Sequence, residues 1–94
     1  MAESVSVNNS EEIERAKAIC RLAVKKLEEA SIVLEMDYEK AGTGWQDTKY
    51  DDLGELVGQC VAALREPVKE LETCYAKLDK LLEEVKRYEA VKLC

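Results

Sequence analysis

An apolar repeat in the second half of the chain limits the fold more than any other feature. Apolar residues recur there at alternating intervals of three and four: Tyr50, Leu53, Val57, Cys60, Leu64, Pro67, Leu71, Cys74, Leu78, Leu81, Val85 and Tyr88. This spacing places one apolar side chain per turn on a single helical stripe. It predicts one long helix over residues 47–92. We expect a local kink at Pro67, with two separate helices as the fallback.

The first half of the chain carries a shorter repeat of the same kind. Its members are Ile13, Ala16, Cys20, Ala23, Leu27, Ala30 and Leu34. Asn9 and Ser10 are good N-cap residues, and acidic residues directly follow them, which suits the positive end of the helix dipole. The pattern predicts a helix over residues 10–40 behind a disordered tail at residues 1–9.

Glycines mark the connection between the two repeats, at residues 41–47. Gly42 can close the first helix in the left-handed conformation, and Gly44 adds freedom to reverse the chain. Asp47 is a good N-cap for the second helix, with Thr43 and Gln46 as a competing capping box. A connection this short predicts an all-α antiparallel hairpin, with residues 10–94 forming one domain.

The position of the turn sets the predicted register. A turn centred on Gly44 pairs Ala30 with Gly58 and Ile13 with Tyr75, so the end of helix 2 extends beyond helix 1. Burying that end requires a partner, and two hairpins packed as a four-helix bundle would provide one. We therefore predict a homodimer, or a heterodimer with a related hairpin, through Leu71, Leu78, Leu81, Leu82, Val85 and Tyr88.

Composition argues against several classes of function. The chain has 94 residues, a net charge of −6 and no His, so the commonest general base and metal ligand is missing. We predict no enzyme activity, no cofactor and no metal site. The acidic balance speaks against nucleic-acid binding, and no apolar run is long enough to suggest membrane insertion.

The four Cys residues match no zinc-binding spacing. We interpret three of them as small apolar side chains of the helix stripes. The predicted register separates them too far for an internal disulfide, and Cys94 can cross-link a dimer on oxidation. Because the first ten residues contain no signal peptide, we expect synthesis in the cytoplasm and any secretion by a route without a conventional leader.

A short segment at the turn carries a resemblance to a known family. Gly44-Trp45-Gln46-Asp47, with Leu53 eight residues after the Trp, resembles the turn of the WXG (ESAT-like) proteins handled by type VII secretion systems of Gram-positive bacteria. Asp47 stands where the family has Gly, as in Trp-x-Asp variants. Tyr75 and Asp79 also resemble the family's Tyr-x-x-x-Asp/Glu export signal.

This resemblance implies a non-catalytic protein that acts by helix packing. It implies either a secreted substrate or a targeting partner for the helical N-terminal domain of a larger effector, recognised by the secretion machinery. The residues also allow a cytosolic structural coiled coil, such as a phage or mobile-element accessory protein, in which Trp45 only closes the helix pair. A stand-alone chaperone or antitoxin is the third alternative.

Overall fold

Two long antiparallel helices make up the part of the chain that the computed structural model describes, residues 9–44 and 48–93. Helix α1 spans Asn9–Ala41, a 3₁₀ turn covers Gly42–Gly44, and helix α2 spans Thr48–Leu93. The predicted all-α hairpin is therefore confirmed. Asn9, predicted to be in the tail, belongs to α1, and residues 1–8 lie outside the described residues.

Pro67 lies inside α2, which continues on both sides of it. The fallback of two separate helices is therefore wrong. Proline removes one backbone donor and crowds the preceding turn, but the apolar spacing stays in phase across it. Packing against α1 on both sides of Pro67 is enough to keep one helix.

The turn differs from its prediction in detail. Gly42 does not adopt a positive φ, because α1 ends in a 3₁₀ turn rather than a left-handed cap. The Thr43 hydroxyl donates a hydrogen bond to the Lys40 carbonyl at 2.8 Å, so this side chain serves the end of α1. Helix α2 begins at Thr48, directly after Asp47, which lies outside the described residues.

The predicted register is wrong, as a contact at the far end of the hairpin shows. The Ser10 hydroxyl donates to Glu89 at 2.9 Å, where the prediction placed Ser10 opposite Leu78. Helix α1 therefore reaches almost to the end of α2.

The core is a narrow strip between the two helices. Only Val61 and Leu82 fall below one-tenth exposure among the described apolar side chains, at 8% and 6%. The molecule measures 71 × 22 × 18 Å, with a radius of gyration of 21.1 Å, against about 12 Å for a compact chain of this length. A hairpin of this shape leaves most of its surface in contact with water.

The seam of α2 uses only half of the predicted stripe. Five members of the predicted stripe face α1: Val57, Leu64, Leu71, Leu78 and Val85. The residues that alternate with them along the seam belong to the neighbouring apolar row: Val61, Val68, Tyr75 and Leu82. We call these nine residues the inner row. The displaced members of the predicted stripe, from Cys60 to Tyr88, lie on the outer flank of α2.

Candidate association surface

Charged residues line one side of the groove between the helices. Lys17 on α1 pairs with Asp79 on α2 at 2.6 Å, and Lys86 on α2 pairs with Glu14 on α1 at 3.3 Å. Arg21, Glu28 and Glu72 border a groove of about 310 Å³ on the same side. We call this the charged side.

Tyr75 lies at the centre of the charged side. The ammonium of Lys17 is 5.0 Å from its ring centroid and the guanidinium of Arg21 is 4.9 Å away, which are favourable cation–π distances. The hydrogen bond to Asp79 raises the pKa of Lys17 against the opposing effect of desolvation. Tyr75 and Asp79, which resemble an export signal in sequence, are thus brought together in one cluster with two α1 cations.

The opposite side of the groove follows from helix geometry. Glu14 and Lys86 meet, and each comes one position after a seam residue. The positions three residues after Ile13 on α1 and after Val85 on α2, with their repeats at intervals of seven, lie on the other flank of each helix. In an antiparallel pair, these other flanks share one side of the hairpin.

That second side is apolar, and we call it the apolar side. Helix α1 contributes small and β-branched residues to it: Ala16, Ile19, Ala23, Ala30 and Val33. Helix α2 contributes a heptad row that we call the outer row: Leu56, Cys60, Ala63, Pro67, Cys74, Leu81, Tyr88 and Val91. Every member is exposed except Pro67, which is half-buried.

Charged residues interrupt the outer row at three points. Glu70, Lys77 and Glu84 occupy the remaining heptad positions, so the row is an apolar stripe with spaced charges. Leu56 is 57% exposed and Val91 is 70% exposed. Further exposed apolar side chains on the outside of α1 are Leu22, Ile32 and Met36.

The predicted partner interface divides between the two rows. Leu82 is buried against α1, and Leu71, Leu78 and Val85 are half-buried there. The premise that helix 2 extends past helix 1 is wrong for Leu82 and Val85, since α1 covers them. Leu81 and Tyr88 belong to the outer row and stay exposed; a partner interface for any of the six remains a prediction.

Two tyrosines fix the hairpin next to its turn. The rings of Tyr38 and Tyr50 stack with centroids 4.3 Å apart and planes 4° apart. The Tyr50 hydroxyl donates to the Tyr38 carbonyl at 2.8 Å, and the Tyr38 hydroxyl donates to the Tyr50 carbonyl at 3.4 Å. Desolvation is the main cause that raises the pKa of Tyr50, with the hydrogen bond to Tyr38 next.

Each ring of this tyrosine pair packs over a glycine, Gly42 in the 3₁₀ turn or Gly54 on α2. A Cβ on Gly42 would lie 2.5 Å from the Tyr50 Cζ atom, and one on Gly54 would lie 2.8 Å from the Tyr38 Cζ atom. Gly58 and Gly44 have open space around them. Ala30 is exposed, so the predicted close approach of Ala30 and Gly58 is wrong.

Sequence reasoning missed Tyr38 altogether. It lies four residues after Leu34 and four before Gly42, so it continues the α1 stripe to the turn. That continuation, together with a Tyr and a Gly in matching places on α2, is the signal that could have found the pair.

The remaining members of the turn motif are only partly described. Trp45 and Asp47 lie outside the described residues. Gly44 ends the 3₁₀ turn, and Leu53 is half-buried near the start of α2. Their role as a motif therefore stays a prediction.

Neither described helix has a stretch long and apolar enough to span a membrane. Residues 9–44 and 48–93 contain no group of three or more potential metal ligands. Comparison with protein-family models, curated proteins and solved structures finds no match for this chain. The family resemblance thus rests on the residues of the turn and of α2 alone.

Proposed function

We propose that this chain is a non-catalytic, WXG-like protein of a bacterial type VII secretion pathway that acts by helix packing. Its partner is a second copy, a related hairpin or the helical N-terminal domain of a larger effector. It is made in the cytoplasm and is either exported itself or delivers an effector to the secretion machinery.

The outer row of α2 is the observation that supports association most directly. The hairpin covers the inner row, of which Val61 and Leu82 are buried and the rest half-buried, and leaves a second heptad row exposed along the same helix except at Pro67. The chain exposes 7418 Å², whereas a compact protein of 10.6 kDa exposes roughly 5,500 Å².

The export part of the proposal rests on the turn and on Tyr75 and Asp79. In this proposal, the Trp45 turn of one chain and the α2 end of its neighbour form a two-part recognition surface. The half-buried Tyr75 is held by Lys17 and Arg21, so an export receptor would read it together with those cations. Hairpin pairing would thus precede recognition.

A secretion assay tests this proposal. In the bacterium that encodes the chain, deletion of the type VII ATPase should abolish the protein, or its effector, in the culture medium. Trp45→Ala should have the same effect while leaving the helical circular dichroism of the purified protein intact. Undiminished secretion in the ATPase deletion strain would overturn the export proposal.

The contacts of Tyr75 favour a second candidate function, a cytosolic structural coiled coil. Lys17, Arg21 and Asp79 account for Tyr75 without any receptor. The two candidate functions predict different results for the substitution Tyr75→Phe, which keeps the ring beside the two cations and removes only the hydroxyl. Loss of export with unchanged stability supports the secretion role, and unchanged localisation supports the structural one.

A further inference from the structure

One heptad position of α2 reads the same in both directions. At intervals of seven residues, the helix carries the half-buried Leu53, followed by Cys60, Pro67, Cys74 and Leu81 of the outer row. The order is a palindrome centred on Pro67, so an antiparallel copy of α2 presents identical residues at every one of these positions. Cys60 and Cys74 are exposed free thiols.

A palindromic row fits a two-fold symmetric interface. In such a dimer, residue i of one copy meets residue j of the other, and j meets i. With the axis at Pro67, Cys60 faces the partner's Cys74 and Cys74 faces the partner's Cys60. Leu53 and Leu81 meet in the same way, and the overlap covers roughly 55 Å of helix at 1.5 Å per residue.

The distances suit disulfide formation. Packed helix axes lie about 8–10 Å apart, and Cα atoms lie about 2.3 Å from their axis. Facing Cα atoms are therefore about 3.5–5.5 Å apart, which overlaps the range of about 4.4–6.8 Å that a disulfide requires. By contrast, Cys60 and its own counterpart would be separated by roughly 20 Å along the helices.

We propose that two copies of the chain pack α2 against α2, antiparallel about Pro67, and that oxidation joins Cys60 of each copy to Cys74 of the other. The inference rests on the proposed association through the apolar side and is independent of export. The occupant of the outer row is a second copy, because an identical antiparallel chain brings Cys60 and Cys74 face to face on both sides of Pro67.

The chemistry needs a small-molecule disulfide, such as oxidised glutathione, as oxidant. The Cys60 thiolate attacks one sulfur of the oxidant, forms a mixed disulfide and releases one glutathione thiolate. The thiolate of the partner's Cys74 then attacks the Cys60 sulfur and releases the second glutathione. Each cross-link oxidises two protein thiols to one disulfide and reduces one oxidised glutathione to two reduced glutathiones, whose thiolates take up the two protons that the protein thiols lose.

Charges near the axis explain why a covalent link matters. Glu66 and Glu70 flank Pro67, so the symmetric pair brings them close to their counterparts. Like charges at an exposed interface weaken association, and salt screens the repulsion. The reduced dimer should therefore strengthen with added salt, whereas the oxidised dimer should be independent of salt.

A complementation experiment on the full chain tests the proposal. Cys20→Ala and Cys94→Ala provide the background, because they remove the other two thiols of the chain. In this background, glutathione disulfide should convert the protein into a dimer on a non-reducing gel. Cys60→Ser alone and Cys74→Ser alone should each lose the dimer, and mixing these two variants should restore it.

Mass spectrometry of the dimer should identify a Cys60–Cys74 peptide. The matched control Thr73→Cys/Cys74→Ser moves the thiol by one residue, about 100° around the helix, and should lose the cross-link to Cys60. Circular dichroism should show equal helicity for all variants. Cross-links within one single-Cys variant, or failure of the mixture to form a dimer, would overturn the proposed register.

Sedimentation of the reduced chain separates this failure from a failure of the proposed association. A reduced dimer that never forms the Cys60–Cys74 link keeps the apolar side as a docking surface and overturns only the Pro67 axis. A chain that is monomeric when reduced and not cross-linked when oxidised overturns the inferred self-pairing.

Discussion

Leu81 and Leu82 are adjacent residues of the same type with opposite surroundings. Leu82 is 6% exposed in the inner row, and Leu81 is 46% exposed in the outer row. A single step along α2 rotates the side chain by about 100°, from the seam with α1 to the apolar side. Helix α2 thus carries one apolar row that builds the hairpin and a second that is available for association.

Truncating these two leucines should separate the two roles. Leu82→Ala should lower the free energy of unfolding by about 2–3 kcal/mol, because it removes a buried side chain and leaves a cavity. Leu81→Ala should cost less than about 1 kcal/mol, since water already reaches that side chain. Urea unfolding of the reduced protein, followed by circular dichroism at low concentration, measures both.

The same pair should rank in reverse order in an association assay. Sedimentation of the reduced chain should show weaker dimerisation for Leu81→Ala than for Leu82→Ala at equal helicity. Equal losses of stability for the two variants would mean that the inner and outer rows do not differ as the structure indicates.

The spacing of apolar residues was enough to predict the hairpin but not to choose between the rows. Both Cys60 and Val61 continue the intervals of three and four that begin at Leu53 and Val57, so periodicity cannot separate them. Side-chain size does separate them. Val61 offers more apolar area to α1 than Cys60, because its branched side chain is larger.

Gly54 and Gly58 extend the comparison to residues without side chains. Gly54→Ala should destabilise the hairpin by about 1–2 kcal/mol, because the new Cβ collides with the stacked Tyr38 ring. Gly58→Ala has open space and should stabilise it by about 0.5–1 kcal/mol through helix propensity. Thermal unfolding of the two variants should therefore shift in opposite directions, and a common sign would contradict the predicted role of Gly54.

The register between the two helices could not be predicted from the sequence for a related reason. A turn containing Gly42 and Gly44 permits several midpoints, and only contacts between helices choose among them. The Tyr38–Tyr50 stack fixes the register next to the turn, because each ring packs over a glycine, Gly42 or Gly54. The sequence alone does not show that these two tyrosines and two glycines pack together.

A rise to alkaline pH should change the free energy of unfolding less than the substitutions above, and it tests the polar contacts that Lys17 and Tyr50 make with the opposite helix. The pKa values of Lys17 and Tyr50 are both raised in the folded chain, mainly by the hydrogen bond to Asp79 and by desolvation, respectively. A raised folded pKa means tighter proton binding in the native state, so this stabilisation is complete below the unfolded values, about 10.4 for Lys and 10 for Tyr. It is lost as the pH rises through the folded values.

Urea midpoints of the reduced protein should therefore fall between pH 9 and the folded pKa values. Lys17→Met keeps the apolar stem but removes the titrating group, and Tyr50→Phe removes the hydroxyl that donates to the Tyr38 carbonyl. Each variant should be less stable than the parent at pH 8 and should approach it at high pH, with the double variant showing the smallest fall. If the urea midpoints of the parent and the double variant fall in parallel with pH, neither Lys17 nor Tyr50 links the free energy of unfolding to pH.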